Sequence, residues 1–391
     1  MKTFDGLTAP GDALPPDRVA RFSRTITLPG FGLAAQGRLA AARGLVIGAG
    51  GLGSASIPGL AAAGFGTVGI VDADTVEASN LPRQTIHGFR DVGRSKVVSA
   101  LETVAALDPA VRTVGYDTML TAANALEIMS GYDLVLDGSD NFATRYLVND
   151  AAELSGIPVV WGAVHQFGGQ AGLSWAARGP TYRDLFPEPP AAGTVPSCAE
   201  AGALPPVCAV IGGLMVAEAI KLVTGVGEPL LGRVTIYDSL RGTFREVGYE
   251  KDPDGTPVTA LIDYDVFCGI ATSDPIPDTG AADADIDVET LSGLLAAGVP
   301  LRLVDVREPW EAELSSLPDS LLLPLGELAR DPQAAVGTLL GGPPVVVYCH
   351  HGPRSDRART ILERGGLTGV RSLRGGIDAW SATVDLAVRR Y

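Results

Sequence analysis

The chain is short of several things. It has four lysines and four cysteines in 391 residues, and aromatic residues make up only 6% of it. Acidic residues outnumber basic ones by 45 to 30, giving a net charge of −15, and no Lys/Arg cluster interrupts that balance. A nucleic-acid surface needs such a cluster to neutralise phosphates, so no DNA or RNA partner is expected. No run of about 18 apolar residues is present, so no membrane-spanning segment is expected. The opening MKTFDGLTAPGDALPPD has neither an apolar stretch nor a cleavage pattern, so no export signal is read there. Cys198, Cys208, Cys268 and Cys349 are too few for a disulfide scaffold. These absences imply a cytoplasmic, reducing location, where an important cysteine is chemical rather than structural.

What is present is ordinary globular material, 46% apolar, and enough of it for two or three domains at roughly 150 residues each. Residues 1–16 are rich in Pro and Gly and read as a mobile N-terminus. Over 17–270, short apolar runs alternate with helical segments: Leu45–Ile47, Thr67–Val71, Asp133–Leu136 and Pro158–Trp161. That alternation predicts an α/β, doubly wound, mostly parallel sheet of Rossmann-like type. Cys208–Val223 reads as a helix stopped by Gly225, and Val234–Tyr237 with Thr243–Val247 as a closing hairpin. The stretch 271–285 (ATSDPIPDTGAADAD) has no periodicity and reads as a linker. A second, smaller α/β domain follows over 286–391, with strands at Arg302–Asp305, Leu321–Pro324 and Val345–Tyr348, and helices near Val288–Ala297 and from Arg354.

Two stretches carry chemistry. In the first, Gly48-x-Gly50-x-x-Gly53 follows a strand and opens a helix, so backbone N–H groups and the helix N-terminus can hold phosphate. Asp72, 19 residues beyond Gly53 at the next strand end, can bind ribose hydroxyls. A tight strand–helix turn alone is the alternative for the glycines. Arg83 and Lys96 bring positive charge suited to a polyphosphate, and Asp140 follows a strand end where it can hold Mg²⁺. The alternatives are a solvated helix lysine at Lys96 and a helix N-cap at Asp140-Asn141.

With Arg21–Gly32 (RFSRTITLPGFG), GAGGLGS, Val71–His87 (VDADTVEASNLPRQTIH), GRSK, Asp137–Asn141 (DGSDN), Ser197–Leu204 (SCAEAGAL) and Val234–Glu246, residues 17 to about 269 resemble the MoeB/ThiF-type activating enzymes, relatives of the ubiquitin-activating (E1) enzymes. The resemblance implies ATP- and Mg²⁺-dependent adenylation of the Gly-Gly C-terminus of a ubiquitin-like sulfur-carrier protein of the MoaD/ThiS type. It assigns the ATP site to Gly48, Gly50, Gly51, Gly53, Asp72, Asp74, Ser79, Asn80, Leu81, Arg83, Gln84, Lys96, Asp140 and Asn141. It also implies a homodimer in which Arg24 reaches the partner subunit's ATP, and it places at Cys198 a covalent or acyl-disulfide intermediate. Cys208 reads as core packing, and Cys268 receives no role. Many relatives bind a structural zinc through two Cys-x-x-Cys pairs. Here the first pair is replaced by Thr181 and Asp184 and no second pair lies near Asp252–Thr256. Zinc is therefore not expected, since a tetrahedral site needs four ligands, and that region is expected to be held by packing.

In the second stretch, the apolar run Val345–Tyr348 leads into Cys349-His350-His351-Gly352-Pro353-Arg354-Ser355. A cysteine between a strand end and a helix start has its thiolate stabilised by backbone N–H groups, and Arg354 adds positive charge. An inert core cysteine is the alternative, and His350-His351 alone make a poor metal site. Four residues separate Cys349 from Arg354, one fewer than in the phosphatase loop. With Leu303–Glu308 (LVDVRE) and Leu373–Trp380 (LRGGIDAW), the stretch from about Ile286 to Val384 resembles the rhodanese family, whose cysteine carries a persulfide. The stretch SSLPDSLLLPL departs from that family's usual wording. The resemblance implies sulfur transfer from a Cys349 persulfide to the activated carrier, giving its thiocarboxylate, with a cysteine desulfurase or thiosulfate as sulfur donor. Three other readings stay open: adenylation alone beside an inactive rhodanese domain, a nicotinamide-dependent oxidoreductase, and a non-enzymatic carrier-binding scaffold.

Overall fold

The computed structural model describes residues 5–190, 202–269 and 285–390. The chain divides into two compact units, Met1–Ser273 and Asp274–Tyr391.

The first unit is built on eight strands: β1 (Arg43–Ile47), β2 (Thr67–Asp72), β3 (Arg112–Asp117), β4 (Leu134–Asp137), β5 (Val159–His165), β6 (Gly168–Ser174), β7 (Arg233–Asp238) and β8 (Thr243–Gly248). Their order across the sheet is β3-β2-β1-β4-β5-β6-β7-β8. The pairs from β3 to β5 are parallel, and those from β5 to β8 antiparallel. Side chains alternate between the two faces of a strand, so each central strand feeds two cores. Val46, Val68, Ile70 and Leu136 pack with helices Gly53–Ala63 and Pro205–Thr224 on one face. Leu45, Ile47, Val71 and Trp161 pack with helix Phe142–Ser155 on the other. Burial on both faces is why these strands read as unbroken apolar runs.

Helix Pro205–Thr224 is long and apolar enough to cross a membrane by length and composition, which the absence of a long apolar run did not anticipate. Its apolarity has a local cause. Val207, Ile211, Met215, Ala219 and Leu222 belong to the first core, and the buried Glu218 accepts the N–H of Leu230 and pairs with Lys221. Gly225, in the left-handed conformation, ends the helix. Residues 5–8, read from composition as mobile, are tethered here: the N–H of Leu7 donates to Leu222 (2.8 Å), and the Thr8 hydroxyl to the carbonyl of Arg38 (3.0 Å).

The second unit carries β9 (Asp285–Ile286), β10 (Arg302–Asp305), β11 (Leu321–Leu322), β12 (Val345–Tyr348) and β13 (Arg371–Leu373). All pairs are parallel, in the order β11-β10-β12-β13-β9. Asp285, read as the end of the linker, pairs with Ser372 in the sheet, and β11 is two residues shorter than the run expected to 324. The buried pair Arg307–Asp305 braces this unit, with Tyr348 donating its hydroxyl to the same carboxylate (3.0 Å).

Candidate functional site

In the first unit the loop between β1 and helix Gly53–Ala63 is shaped by glycine. A Cβ on Gly53 would stand 2.1 Å from the carbonyl oxygen of Gly48, and one on Gly51 2.8 Å from the Cys208 sulfur. Cys208 is thus buried packing behind the loop, as its apolar helix suggested. Asp72, at the end of β2, accepts the N–H of Ala49 (2.7 Å) on one oxygen and the N–H of Asp74 (2.8 Å) on the other. Each oxygen keeps a second lone pair for a hydroxyl. Burial pushes the Asp72 carboxyl up, against these N–H groups and Lys96, which hold it down.

Lys96 begins helix Lys96–Leu107 and is only 6% exposed. Its ammonium lies 2.7 Å from Asp74, so it is a buried paired cation rather than a solvated helix residue. Ser79, Asn80 and Leu81 lie on the short 3₁₀ turn after β2 and the residue behind it. The Arg83 guanidinium donates to the carbonyl of Ser79 (3.1 Å). Gln84 is buried with its amide against Gly50, and its Oε1 has no hydrogen-bond partner among the described residues. A buried unpaired acceptor beside a glycine loop is costly unless a ligand group satisfies it, so the site fits a bound nucleotide.

Beyond β4, Asp137 is buried beside Arg145 at 4.0 Å, and burial raises its carboxyl. Asp140 is exposed, available to a hydrated cation. Asn141 is the N-cap of helix Phe142–Ser155, its Oδ1 accepting the N–H of Thr144 (2.8 Å), which makes its local role structural. The Arg24 side chain is exposed on the short helix Ser23–Ile26. Cys198 lies outside the described residues.

The segment around Thr181 and Asp184 is held by hydrogen bonds rather than by packing alone. Asp184 accepts from the backbone and hydroxyl of Thr181 (2.6 and 3.1 Å), and its other oxygen accepts the N–H of Asp252 (2.8 Å). One carboxylate therefore ties together the segments around Thr181 and Asp252. No cluster of three potential metal ligands occurs among the described residues.

In the second unit, Cys349 follows β12 and is 1% exposed. Its sulfur accepts the N–H of Gly352 (3.0 Å) and lies 3.5 Å from the Ser355 hydroxyl, at the start of helix Pro353–Arg364. The Arg354 guanidinium turns elsewhere: it makes two bonds to the buried Glu311, 2.6 and 2.7 Å. The positive charge that Arg354 brings to the loop is therefore paired with a buried carboxylate. Glu311 lies 43 residues away, and nothing local announces it. The loop is clamped from behind, where Ile377 and Asp378 donate their N–H groups to the carbonyls of Cys349 and His350 (2.9 and 3.1 Å). The rings of His350 and His351 lie 3.9 Å apart. Burial, then the neighbouring His351, lowers the pKa of His350.

The comparisons agree with this division. Residues 22–258 match the ThiF family and 287–383 the rhodanese-like domain. The chain is 45% identical over 385 residues to the probable adenylyltransferase/sulfurtransferase MoeZ of Mycobacterium tuberculosis, covering 96% of each. It is 38% identical over 409 residues to the adenylyltransferase and sulfurtransferase MOCS3 of Sus scrofa, covering 98% of this chain and 90% of that one. The sulfur carrier protein adenylyltransferase of Thermus thermophilus is 46% identical over 265 residues, covering 65% of this chain and 98% of that one. Among solved structures, E. coli MccB with ATP superposes with TM-score 0.55 at 19% identity, covering 63% of this chain and 75% of that one, a likeness of fold. A glycine loop backed by Asp72 and Lys96 in one unit, and a cysteine loop in the other, are what these matches lead one to expect: the chain belongs to the ThiF family and carries a rhodanese-like domain behind its activating domain.

Proposed function

We propose that the chain adenylates the C-terminal glycine of a ubiquitin-like sulfur-carrier protein and then delivers sulfur from Cys349, so that the carrier leaves as its thiocarboxylate. The observation that carries this reading is the presence in one chain of a tight glycine loop beside the buried, unpartnered Gln84 Oε1 and of a cysteine whose sulfur accepts a loop N–H. In the first half-reaction ATP is a substrate. The carrier carboxylate attacks the α-phosphorus, pyrophosphate leaves, and an acyl-adenylate forms. Backbone N–H groups of the loop, Arg83 and Lys96 offset charge that grows on the phosphates. Asp72 binds the ribose. Asp140 would hold Mg²⁺, which neutralises phosphate charge when bound. Arg24 serves the site of a second copy in a homodimer.

In the second half-reaction the outer sulfur of a Cys349 persulfide attacks the acyl carbon and AMP leaves. The product is a carrier–acyl disulfide on Cys349. A thiol then attacks the Cys349 sulfur, releasing the thiocarboxylate and leaving a disulfide; Cys198 is the candidate thiol within the chain. The Gly352 N–H donates to the Cys349 sulfur, the Ser355 hydroxyl bonds the Gly352 carbonyl, and Arg354, paired with Glu311, holds the loop in shape. A cysteine desulfurase or thiosulfate supplies the persulfide sulfur, and the reaction suits a cytoplasmic setting. The test is ATP–pyrophosphate exchange with and without a carrier ending in Gly-Gly. Exchange that depends on the carrier supports adenylation. Its absence with every carrier, beside intact ATP binding, opposes it.

A further inference from the structure

His87 is buried, 6% exposed, and belongs to none of the groups assigned above. Its Nε2 lies 3.0 Å from the carbonyl oxygen of Ala49 and its Nδ1 2.8 Å from the Ser99 hydroxyl. A carbonyl only accepts, so Nε2 carries a proton; the Ser99 hydroxyl beside Nδ1 also bonds the Asp91 carboxylate. Burial is the largest cause holding this imidazole below its ordinary pKa. The bond to Ala49 opposes it, Lys96 works the same way as burial, and Asp91 and Asp72 oppose it further.

Ala49 is fully buried and stands between Gly48 and the pair Gly50-Gly51, so the loop has few side chains of its own to anchor it. Its peptide groups are gripped from both sides: the Asp72 carboxylate takes its N–H (2.7 Å), and His87 donates to its C=O. The N–H of His87 in turn bonds the carbonyl of Gln84 (3.1 Å), so the residue against Ala49 and the residue against Gly50 share one turn. Ser99 lies on helix Lys96–Leu107, which also carries Lys96. One imidazole therefore joins the glycine loop, the Gln84 turn and the helix that supplies the buried cation.

We infer that His87 is a positioning residue for adenylation: through the bond from its Nε2–H to Ala49 it fixes the orientation of the loop amides that receive the nucleotide phosphates. The inference rests on the adenylation reading and adds to it a residue that touches neither substrate. The geometry also says which chemistry matters. Gln places its amide nitrogen where the His Nε2 stands, whereas Asn reaches only the Nδ1 position.

The test uses the full chain and its His87→Gln, His87→Asn and Ser99→Ala variants. Fluorescent mant-ATP titration gives the nucleotide Kd without a carrier, and carrier-dependent pyrophosphate exchange gives KM for ATP and for the carrier. Thermal unfolding is followed beside both. His87→Asn is expected to raise the Kd and KM for ATP about tenfold, as for one buried carbonyl left unpaired, with the KM for the carrier unmoved. His87→Gln is expected to recover most of that loss. Ser99→Ala, which removes the neighbour that holds Nδ1, is expected to fall between them while folding normally. Equal losses in the Gln and Asn variants would overturn the inference, as would carrier and ATP constants that rise together in step with a falling Tm. Unchanged ATP affinity in the Asn variant would do the same. A parent chain that binds no mant-ATP and shows no exchange would instead sink the adenylation reading, and the inference with it.

Discussion

Replacing Gly376 by Ala separates the two chemistries. Gly376 has φ +62°, and a Cβ there would stand 2.2 Å from the carbonyl oxygen of His350 and 2.5 Å from that of Cys349. Both neighbours are backbone, so no side-chain rotation relieves the contact. The left-handed conformation costs a non-glycine residue roughly 1–2 kcal/mol. The loop must also retreat from Ile377 and Asp378, whose N–H groups now hold those two carbonyls. Losing two such bonds costs roughly 1–3 kcal/mol, for a total of roughly 2–5 kcal/mol against the loop geometry. A cysteine loop displaced by an ångström loses its N–H bond from Gly352 and with it thiolate stabilisation. The first unit has its own cores, so adenylation stays intact. The assays are mass spectrometry of Cys349 after exposure to a sulfur donor, and carrier-dependent pyrophosphate exchange. The expected result is persulfide loading reduced tenfold or more at parental exchange. Parental loading would refute the steric argument, and loss of exchange as well would refute the independence of the units.

Other consequences are as direct. Lys96→Met removes a buried cation and leaves Asp74 unpaired, so exchange should fall about a hundredfold, in line with the loss of one charge-stabilising group; a change under threefold would show that Lys96 serves only Asp74. Because Asp184 accepts hydrogen bonds from both Thr181 and Asp252, a strong chelator should leave the Tm unchanged while Asp184→Ala lowers it; a chelator-induced drop would reveal a bound metal. His350 is held below its ordinary pKa of 6.5 by burial and by His351, so it is neutral at pH 7. Its contribution to stability is whole above pH 6.5 and declines as the pH falls from there to the folded value. With four histidines in the chain, ¹⁵N-histidine NMR can follow this titration, and His351→Gln should move the His350 midpoint upward. A midpoint at or above 6.5 in the parent would contradict the burial argument.

Much of this was legible because the motifs are local. GAGGLG needs glycine wherever the chain meets its own backbone, as at Gly53 against Gly48, and Asp72 follows at a strand end. What stayed hidden depends on distant partners. Glu311 neutralises Arg354 from across the domain, and Asp184 reaches Asp252 over 68 residues. Strand β6 (GGQAGLS) carries too much glycine to read as a strand. Gly172 is nonetheless required, because a Cβ there would meet the Trp161 ring at 2.4 Å. The hold of His87 on Ala49 is a bond to the backbone that no side-chain pattern encodes. The shared Asp72–Ala49–His87 grip emerges only once β2, the loop and helix Lys96–Leu107 are assembled.

The central claim is that one chain performs both half-reactions, and intact-mass analysis of the carrier tests it directly. A Gly-Gly-ending carrier is incubated with the protein, ATP, Mg²⁺ and thiosulfate or a cysteine desulfurase with cysteine, beside the Cys349→Ala variant. The account predicts replacement of one carrier oxygen by sulfur, about 16 Da, with AMP released, and AMP formation without sulfur gain in the variant. Sulfur gain that persists in Cys349→Ala, or none with either donor despite AMP release, would contradict it.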